Sequence, residues 1–141
     1  MPKFNGDRII RLISELTTAL QNLKELAQLS EDAFLADRHK IGSAKYNFVV
    51  AIEAIIDMCN HIISKNRFRT PEDYADTFTV MFENGVFDLD LTETLKKMAR
   101  FRNRLIHIYW EVNNQELHRI MRENLDDFEK FLIAIKEYLG L

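Results

Sequence analysis

The residues best suited to chemistry lie together in one short segment, RFRNRLIHIYW, which covers residues 100–110. Histidine exchanges protons near neutral pH, so His107 is a candidate general base or acid. Arginine binds phosphate through paired hydrogen bonds, so Arg102 is a candidate ligand for a phosphate group. No Asp or Glu occurs between Lys96 and Trp110. These residue types are typical of proton transfer on a phosphate-bearing substrate.

Positive charge is concentrated in this part of the chain. The 141 residues carry a net charge of −3, whereas residues 96–110 carry +5, which leaves −8 for the rest. This balance argues against a nucleic-acid surface that extends over the whole chain. It indicates one basic segment in an otherwise acidic protein. Its cations are Lys96, Lys97, Arg100, Arg102 and Arg104.

A basic segment also has simpler explanations. Cations near a helix C-terminus are stabilising by ~0.3–1 kcal/mol each, and solvated basic faces are common. Helical spacing weakens these explanations, because it places Arg102 inside the apolar stripe of Met98, Phe101 and Leu105. An unpaired guanidinium is costly to bury. Arg102 therefore needs a partner, a route to solvent or a cleft.

The same geometry separates Arg102 from His107 by about 140° around a straight helix. For the two to share a site, the helix must end near His107, or a second subunit must complete the site. The residues WEVNN, which follow Tyr109, predict that the helix stops there. We therefore predict a homodimer in which this helix approaches the two-fold axis.

Five helices are predicted to position the segment, in a single all-α domain over residues 1–141. The chain has only four Gly and two Pro, and its apolar residues recur at helical spacing. The first two predicted helices run from Asp7 to about Leu29 and from Ser30 or Asp32 to near Lys65. The third begins at Thr70 and Pro71 and ends at Gly85. The fourth begins at a capping box of Asp90 and Glu93 and continues through the basic segment, and the fifth runs from a capping box of Asn113 and Glu116 to about Tyr138.

Residues 102–109 resemble the R-x4-H-x-Y motif of HepT-like HEPN proteins. Arg102, His107 and Tyr109 match the three motif positions, and Asn103 matches the polar residue that commonly follows the arginine. The resemblance covers nearly the whole chain, because AIEAIIDMCNHII, TPEDYADTF, ENGVFD and MARFRNRLIHIYW follow one another in the family's usual order.

This resemblance implies a dimeric five-helix HEPN bundle and a metal-independent endoribonuclease that uses no cofactor. Such a protein is usually the toxin of a toxin–antitoxin pair, whose nucleotidyltransferase antitoxin would transfer AMP to Tyr109. The expected catalytic residues are Arg102, Asn103 and His107, acting on an RNA substrate. The residues expected to bind RNA around them are Lys96, Lys97, Arg100, Arg104 and Trp110.

Two other hypotheses remain at this point. The chain could be a non-catalytic HEPN module that binds nucleotide, RNA or a nucleotidyltransferase partner. It could also be a plain helical dimer whose basic segment binds an acidic partner. The intact set of Arg102, Asn103 and His107 favours the ribonuclease over the non-catalytic module.

Residues outside the basic segment indicate the cellular location of the protein and some structural roles. The single Cys59 lies in an apolar run and is expected to be a buried small hydrophobe in a reducing compartment. No signal peptide or apolar run long enough to span a bilayer is expected, which favours the cytoplasm and no membrane partner. We expect His61 to pair with Asp57 rather than bind metal, and His118 to lie on the surface.

Overall fold

The computed structural model describes the backbone of residues 1–141 and every side chain except that of Tyr109. Over these residues the chain is all helical, as predicted, with seven α-helices and one short 3-10 helix. The α-helices are α1 (Gly6–Leu26), α2 (Glu31–Leu35), α3 (Arg38–Lys65), α4 (Tyr74–Glu83), α5 (Leu89–His107), α6 (Asn114–Glu123) and α7 (Asp126–Leu139). The 3-10 helix, Tyr109–Glu111, lies between α5 and α6.

Two predicted long helices are each divided in two, which corrects the predicted count of five. Ser30 caps the short α2 through its side chain, and Asp37 then caps α3. The backbone hydrogen bond from Lys40 lowers the pKa of the Asp37 carboxyl, as expected for a charged N-cap. A turn at Asn124 and Leu125 separates α6 from α7.

Three helices begin at residues other than those predicted. The N-caps are Asn5, Asp73 and Asp88, in place of Asp7, Thr70 and Asp90. Each of these caps accepts a hydrogen bond from the backbone N–H three residues later, the geometry that an N-cap requires. The predicted cap at Asn113 and the left-handed conformation of Gly85, with a φ of 76°, are confirmed.

The long helix α3 lies at the centre of the bundle, where it contacts α1, α2, α4, α5 and α6. Its Phe48 and Ile55 are fully buried, together with Phe131 of α7. Cys59 is also fully buried, as predicted, and burial raises the pKa of its thiol. The position of α3 explains why one side of α5 packs against an apolar surface.

Helix α3 is also long and apolar enough, by length and composition, to cross a membrane. Its most apolar window of 18 residues has a mean hydropathy of 1.3, which corrects the expectation that no run reaches that length. However, 61% of this window is buried inside the protein. Burial against the other helices accounts for the apolar character of α3 without a bilayer.

Candidate active site at the end of helix α5

Helix α5 ends at His107, which confirms the predicted break. Ile108 follows with a φ of −135° and a ψ of 47°, and the chain then enters the 3-10 helix. Asn103 and His107 are both exposed and lie one turn apart on the same face of α5. Arg102 lies on another face. The helix therefore presents the motif residues on two sides of its last turns.

Arg102 has the partner that its position requires, and that partner is Glu53 of α3. The Glu53 Oε1 atom accepts hydrogen bonds from Arg102 Nη2 at 2.7 Å and from Nε at 3.2 Å. The guanidinium also lies over the Tyr74 ring, 4.9 Å from its centroid, in a cation–π contact. The Arg102 side chain is only 12% exposed. Two neighbouring helices thus fix its orientation.

Arg102 also donates from Nη1 to the Asn103 side-chain oxygen at 3.0 Å. Three of its five N–H groups are then used by described residues, and one remains on each terminal nitrogen. Two donors on a fixed, mostly buried cation can bind phosphate oxygens or the negative charge of a phosphorane. The structure therefore joins Arg102 and Asn103 directly.

His107 is placed differently from this pair. Its side chain is exposed and makes no hydrogen bond or ion pair with any described residue. An accessible imidazole at a helix end can reach a substrate, which suits a general base or acid. The helix break exposes His107 without bringing it into contact with Arg102.

Among the residues expected to bind RNA, Arg104 is already paired within the chain. Its two terminal nitrogens each donate at 3.1 Å to one carboxylate oxygen of Glu116 in α6. This pair raises the pKa of the Arg104 guanidinium and lowers that of the Glu116 carboxyl. Arg104 therefore fastens the end of α5 to α6.

The other predicted RNA-binding residues lie along the exposed surface of α5 and just beyond it. Lys96 is 3.5 Å from Glu93, one turn earlier, whereas Lys97, Arg100 and Trp110 are exposed. The backbone of Tyr109 starts the 3-10 helix, but its side chain, predicted to accept AMP, lies outside the described residues.

Two histidines outside the motif have structural roles. The predicted pairing of His61 with Asp57 is wrong, because no hydrogen bond or ion pair joins these two described residues. The Nε2 atom of His61 instead accepts a hydrogen bond of 2.9 Å from the Asn5 backbone N–H, which attaches the N-terminal segment to α3. His118 is buried, not on the surface as predicted. Its Nε2 lies 2.9 Å from the Leu29 carbonyl oxygen and its ring packs on Phe34. The hydrogen bond to the backbone offsets the cost of burying this imidazole.

Sequence reasoning missed Glu53 and Tyr74, the two residues that hold Arg102. Glu53 had a usable signal, because it is a carboxylate inside the apolar run VVAIEAII. A charge in such a run needs a partner of opposite sign. Tyr74 had no usable signal in the sequence, since a tyrosine at the start of a helix is common.

With this geometry established, comparison with known proteins identifies the family. The family model described as "Ribonuclease HepT-like" matches residues 16–135. This chain belongs to the ribonuclease HepT-like family. It is 31% identical to the mRNA nuclease HepT of Shewanella oneidensis over 135 residues, an alignment that covers 93% of this chain and 98% of that protein.

Solved structures agree with membership of the HepT-like family. The tri-AMPylated HEPN toxin of Shewanella oneidensis, in complex with MNT antitoxin, superposes with a TM-score of 0.86. The two chains are 28% identical, and the match covers 94% of this chain and 99% of that one. A toxin–antitoxin complex with AMP-PNP gives a TM-score of 0.84 at 27% identity, over 94% of this chain and all of the other. The expected HEPN fold is confirmed.

Proposed function

We propose that this protein is a metal-independent endoribonuclease, formed by one HEPN domain over residues 1–141, and the cytoplasmic toxin of a toxin–antitoxin pair. The observation that carries the proposal is Arg102, a mostly buried cation that Glu53 and Tyr74 hold and that has two N–H donors used by no described residue. It lies in the last turns of the helix that exposes His107. The relatives named as a nuclease and as a toxin support the same activity.

The proposed reaction needs no group beyond these side chains. The ribose 2′-oxygen loses its proton and attacks the adjacent phosphorus, and the bond from phosphorus to the 5′-oxygen breaks. The products are a 2′,3′-cyclic phosphate and a 5′-hydroxyl that has gained a proton. His107 transfers protons in this scheme. Arg102 stabilises the charge on the phosphorane oxygens, and Asn103 orients Arg102.

Because Arg102 and His107 lie on different faces of α5, we propose that a homodimer brings the motifs of two subunits to one cleft. Exposed apolar side chains at this end of the molecule, Ile106 and Tyr74, suit such an interface. Light scattering should give a mass of two chains. A mass of one chain that persists at high protein concentration would contradict the dimer.

Around this centre, Lys96, Lys97 and Arg100 would hold backbone phosphates of the RNA. Trp110, which is exposed, would stack on an unpaired base. Arg104 would contribute charge from its position in the ion pair with Glu116. These contacts should weaken with rising salt, since each phosphate contact releases counterions.

We further propose that a nucleotidyltransferase antitoxin neutralises the protein by attaching AMP to Tyr109. The structures of an AMPylated HEPN toxin with MNT antitoxin and of a toxin–antitoxin complex with AMP-PNP support this regulation. Each AMP would add a negative phosphodiester and a bulky base two residues after His107. The added phosphate would compete with RNA for the neighbouring cations.

The decisive experiment incubates purified protein with single-stranded RNA in EDTA and compares wild type with His107→Ala. Loss of acid–base catalysis should slow cleavage by ~10²–10⁴-fold. His39→Ala is the matched control, because His39 is also exposed and helical but lies in the first turn of α3. Equal rates for His107→Ala and wild type would overturn the assignment of the site.

A further inference from the structure

A cavity of about 360 Å³ opens beside α5, between α3, α6 and α7. Its volume falls in the range of ~300–1,000 Å³ that is usual for ligand sites. Lys97, Phe101 and Arg104 line it from α5, at the spacing of one helical face. Arg102 does not line the cavity, so the proposed catalytic step makes no use of it.

Aromatic rings form the floor of this cavity. Phe48 and Phe128 come from α3 and α7, and Phe101 comes from α5. The centroid of the Phe48 ring lies 5.4 Å from that of Phe101, edge to face, and 6.3 Å from that of Phe128. Phe48 and Phe128 are buried, so Phe101, which is partly exposed, offers the ring surface that a flat, aromatic ligand can contact.

Charged groups surround the aromatic floor. Three cations line the cavity: Lys97, which is exposed, and Arg104 and Arg119, which also pair with Glu116 and Glu123. One carboxylate, that of Asp127, lines it as well, and its remote pairing with Lys130 at 3.7 Å leaves it able to accept further hydrogen bonds. The ligand that matches this lining has an aromatic body with N–H donors and carries a negative group toward the cations.

The cavity lies close to the end of α5. Arg104, on its wall, lies three residues before His107, which corresponds to a rise of about 4.5 Å along the helix. Residues three apart on a helix are surface neighbours. A strand whose phosphate is held near His107 can therefore place an adjacent nucleotide in the cavity.

We propose that this cavity binds one unpaired base of the RNA, next to the cleaved bond, and prefers bases with an exocyclic amino group over uracil. The inference rests on the proposed ribonuclease function. Adenine, cytosine and guanine each offer an amino group to the Asp127 carboxylate. Uracil offers one ring N–H between two carbonyl oxygens, and those oxygens would meet the carboxylate unfavourably.

The test measures binding of AMP, CMP, GMP and UMP to the full-length protein by titration and by NMR shifts. The three amino-bearing nucleotides should bind about tenfold more tightly than UMP, the effect of one charge-assisted hydrogen bond. Shifts should centre on Met98 and Ile120, which line the cavity. Equal affinities for the four nucleotides, or shifts confined to the surroundings of Arg102 and His107, would overturn the proposal.

Asp127→Ala should remove the preference, whereas Asp126→Ala should keep it. Both carboxylates lie in the first turn of α7, but Asp126 is exposed and does not line the cavity. An unchanged preference in Asp127→Ala would also overturn the proposal. Binding is measured without cleavage, so these results are independent of the His107→Ala assay, which tests the ribonuclease itself.

Discussion

Arg69 and Arg102 are both arginines that bind carboxylates, but their surroundings differ in a way that separates structure from function. Arg69 is 43% exposed and makes four hydrogen bonds, two to Asp76 and two to Glu83. Arg102 is 12% exposed and donates three hydrogen bonds to described residues, two to one Glu53 oxygen and one to the Asn103 amide oxygen. Arg69 has two carboxylates for one charge, whereas Arg102 has one carboxylate and two N–H groups that no described residue uses. A buried cation with spare donors is costly for stability alone, which is why we assign it to substrate binding.

The two arginines should differ most in what their removal does to RNA cleavage. Arg102→Ala should slow RNA cleavage by at least ~10²-fold, because a positioned cation that stabilises transition-state charge is lost. Arg69→Ala should cleave at nearly the wild-type rate and only melt at a lower temperature. Cleavage assays and thermal melting of both variants check this. Comparable loss of activity in the two variants would remove the distinction between the arginines.

AMP attached to Tyr109 should block RNA at the site of Arg102. It should not change the ion pairs of Arg69. Co-expression with the cognate nucleotidyltransferase should add the mass of one or more AMP groups and abolish RNA binding and cleavage. Tyr109→Phe should stay active and show no mass shift, as read by intact-mass spectrometry. A mass shift that persists in Tyr109→Phe would refute this residue as the acceptor.

A smaller effect is expected from Tyr74, whose ring covers the Arg102 guanidinium. Tyr74→Ala should lower the cleavage rate by about threefold to tenfold, since a cation–π contact is worth about 1 kcal/mol. Tyr74→Phe keeps the ring and should behave like wild type. Tyr46→Ala is the matched control, because Tyr46 is exposed on α3. If Tyr74→Phe is as slow as Tyr74→Ala, the hydroxyl and not the ring matters.

The smallest effect concerns stability at acidic pH. Hydrogen bonds from Arg69 lower the pKa of Asp76 from 3.8 to about 2. A carboxyl whose pKa falls on folding stabilises the native state above its unfolded pKa, and that contribution disappears as pH falls through the folded value. The stability difference between wild type and Arg69→Ala should therefore be constant near neutral pH and shrink between pH of about 4 and about 2. Urea unfolding across this range measures it, and a difference that grows on acidification would contradict the assigned pair.

The sequence by itself determined the helical class, the burial of Cys59 and the end of α5 near His107. These features depend on local patterns: apolar residues at helical spacing, and the polar stretch WEVNN after the motif. Local pattern also placed Arg102 on an apolar face and so predicted that it needs a partner. It could not decide between neighbouring N-cap candidates, because that choice depends on which side chain reaches the backbone N–H three residues later.

Only the tertiary structure decided which residues are in contact across the helices. Glu53 contacts Arg102 because α3 packs against α5, and Glu116 of α6 contacts Arg104 of α5. His118 is buried because α6 packs against α2. Spacing along one helix fixes which face a residue occupies. It does not fix how two helices rotate and slide against each other, and contacts between residues far apart in sequence depend on that arrangement.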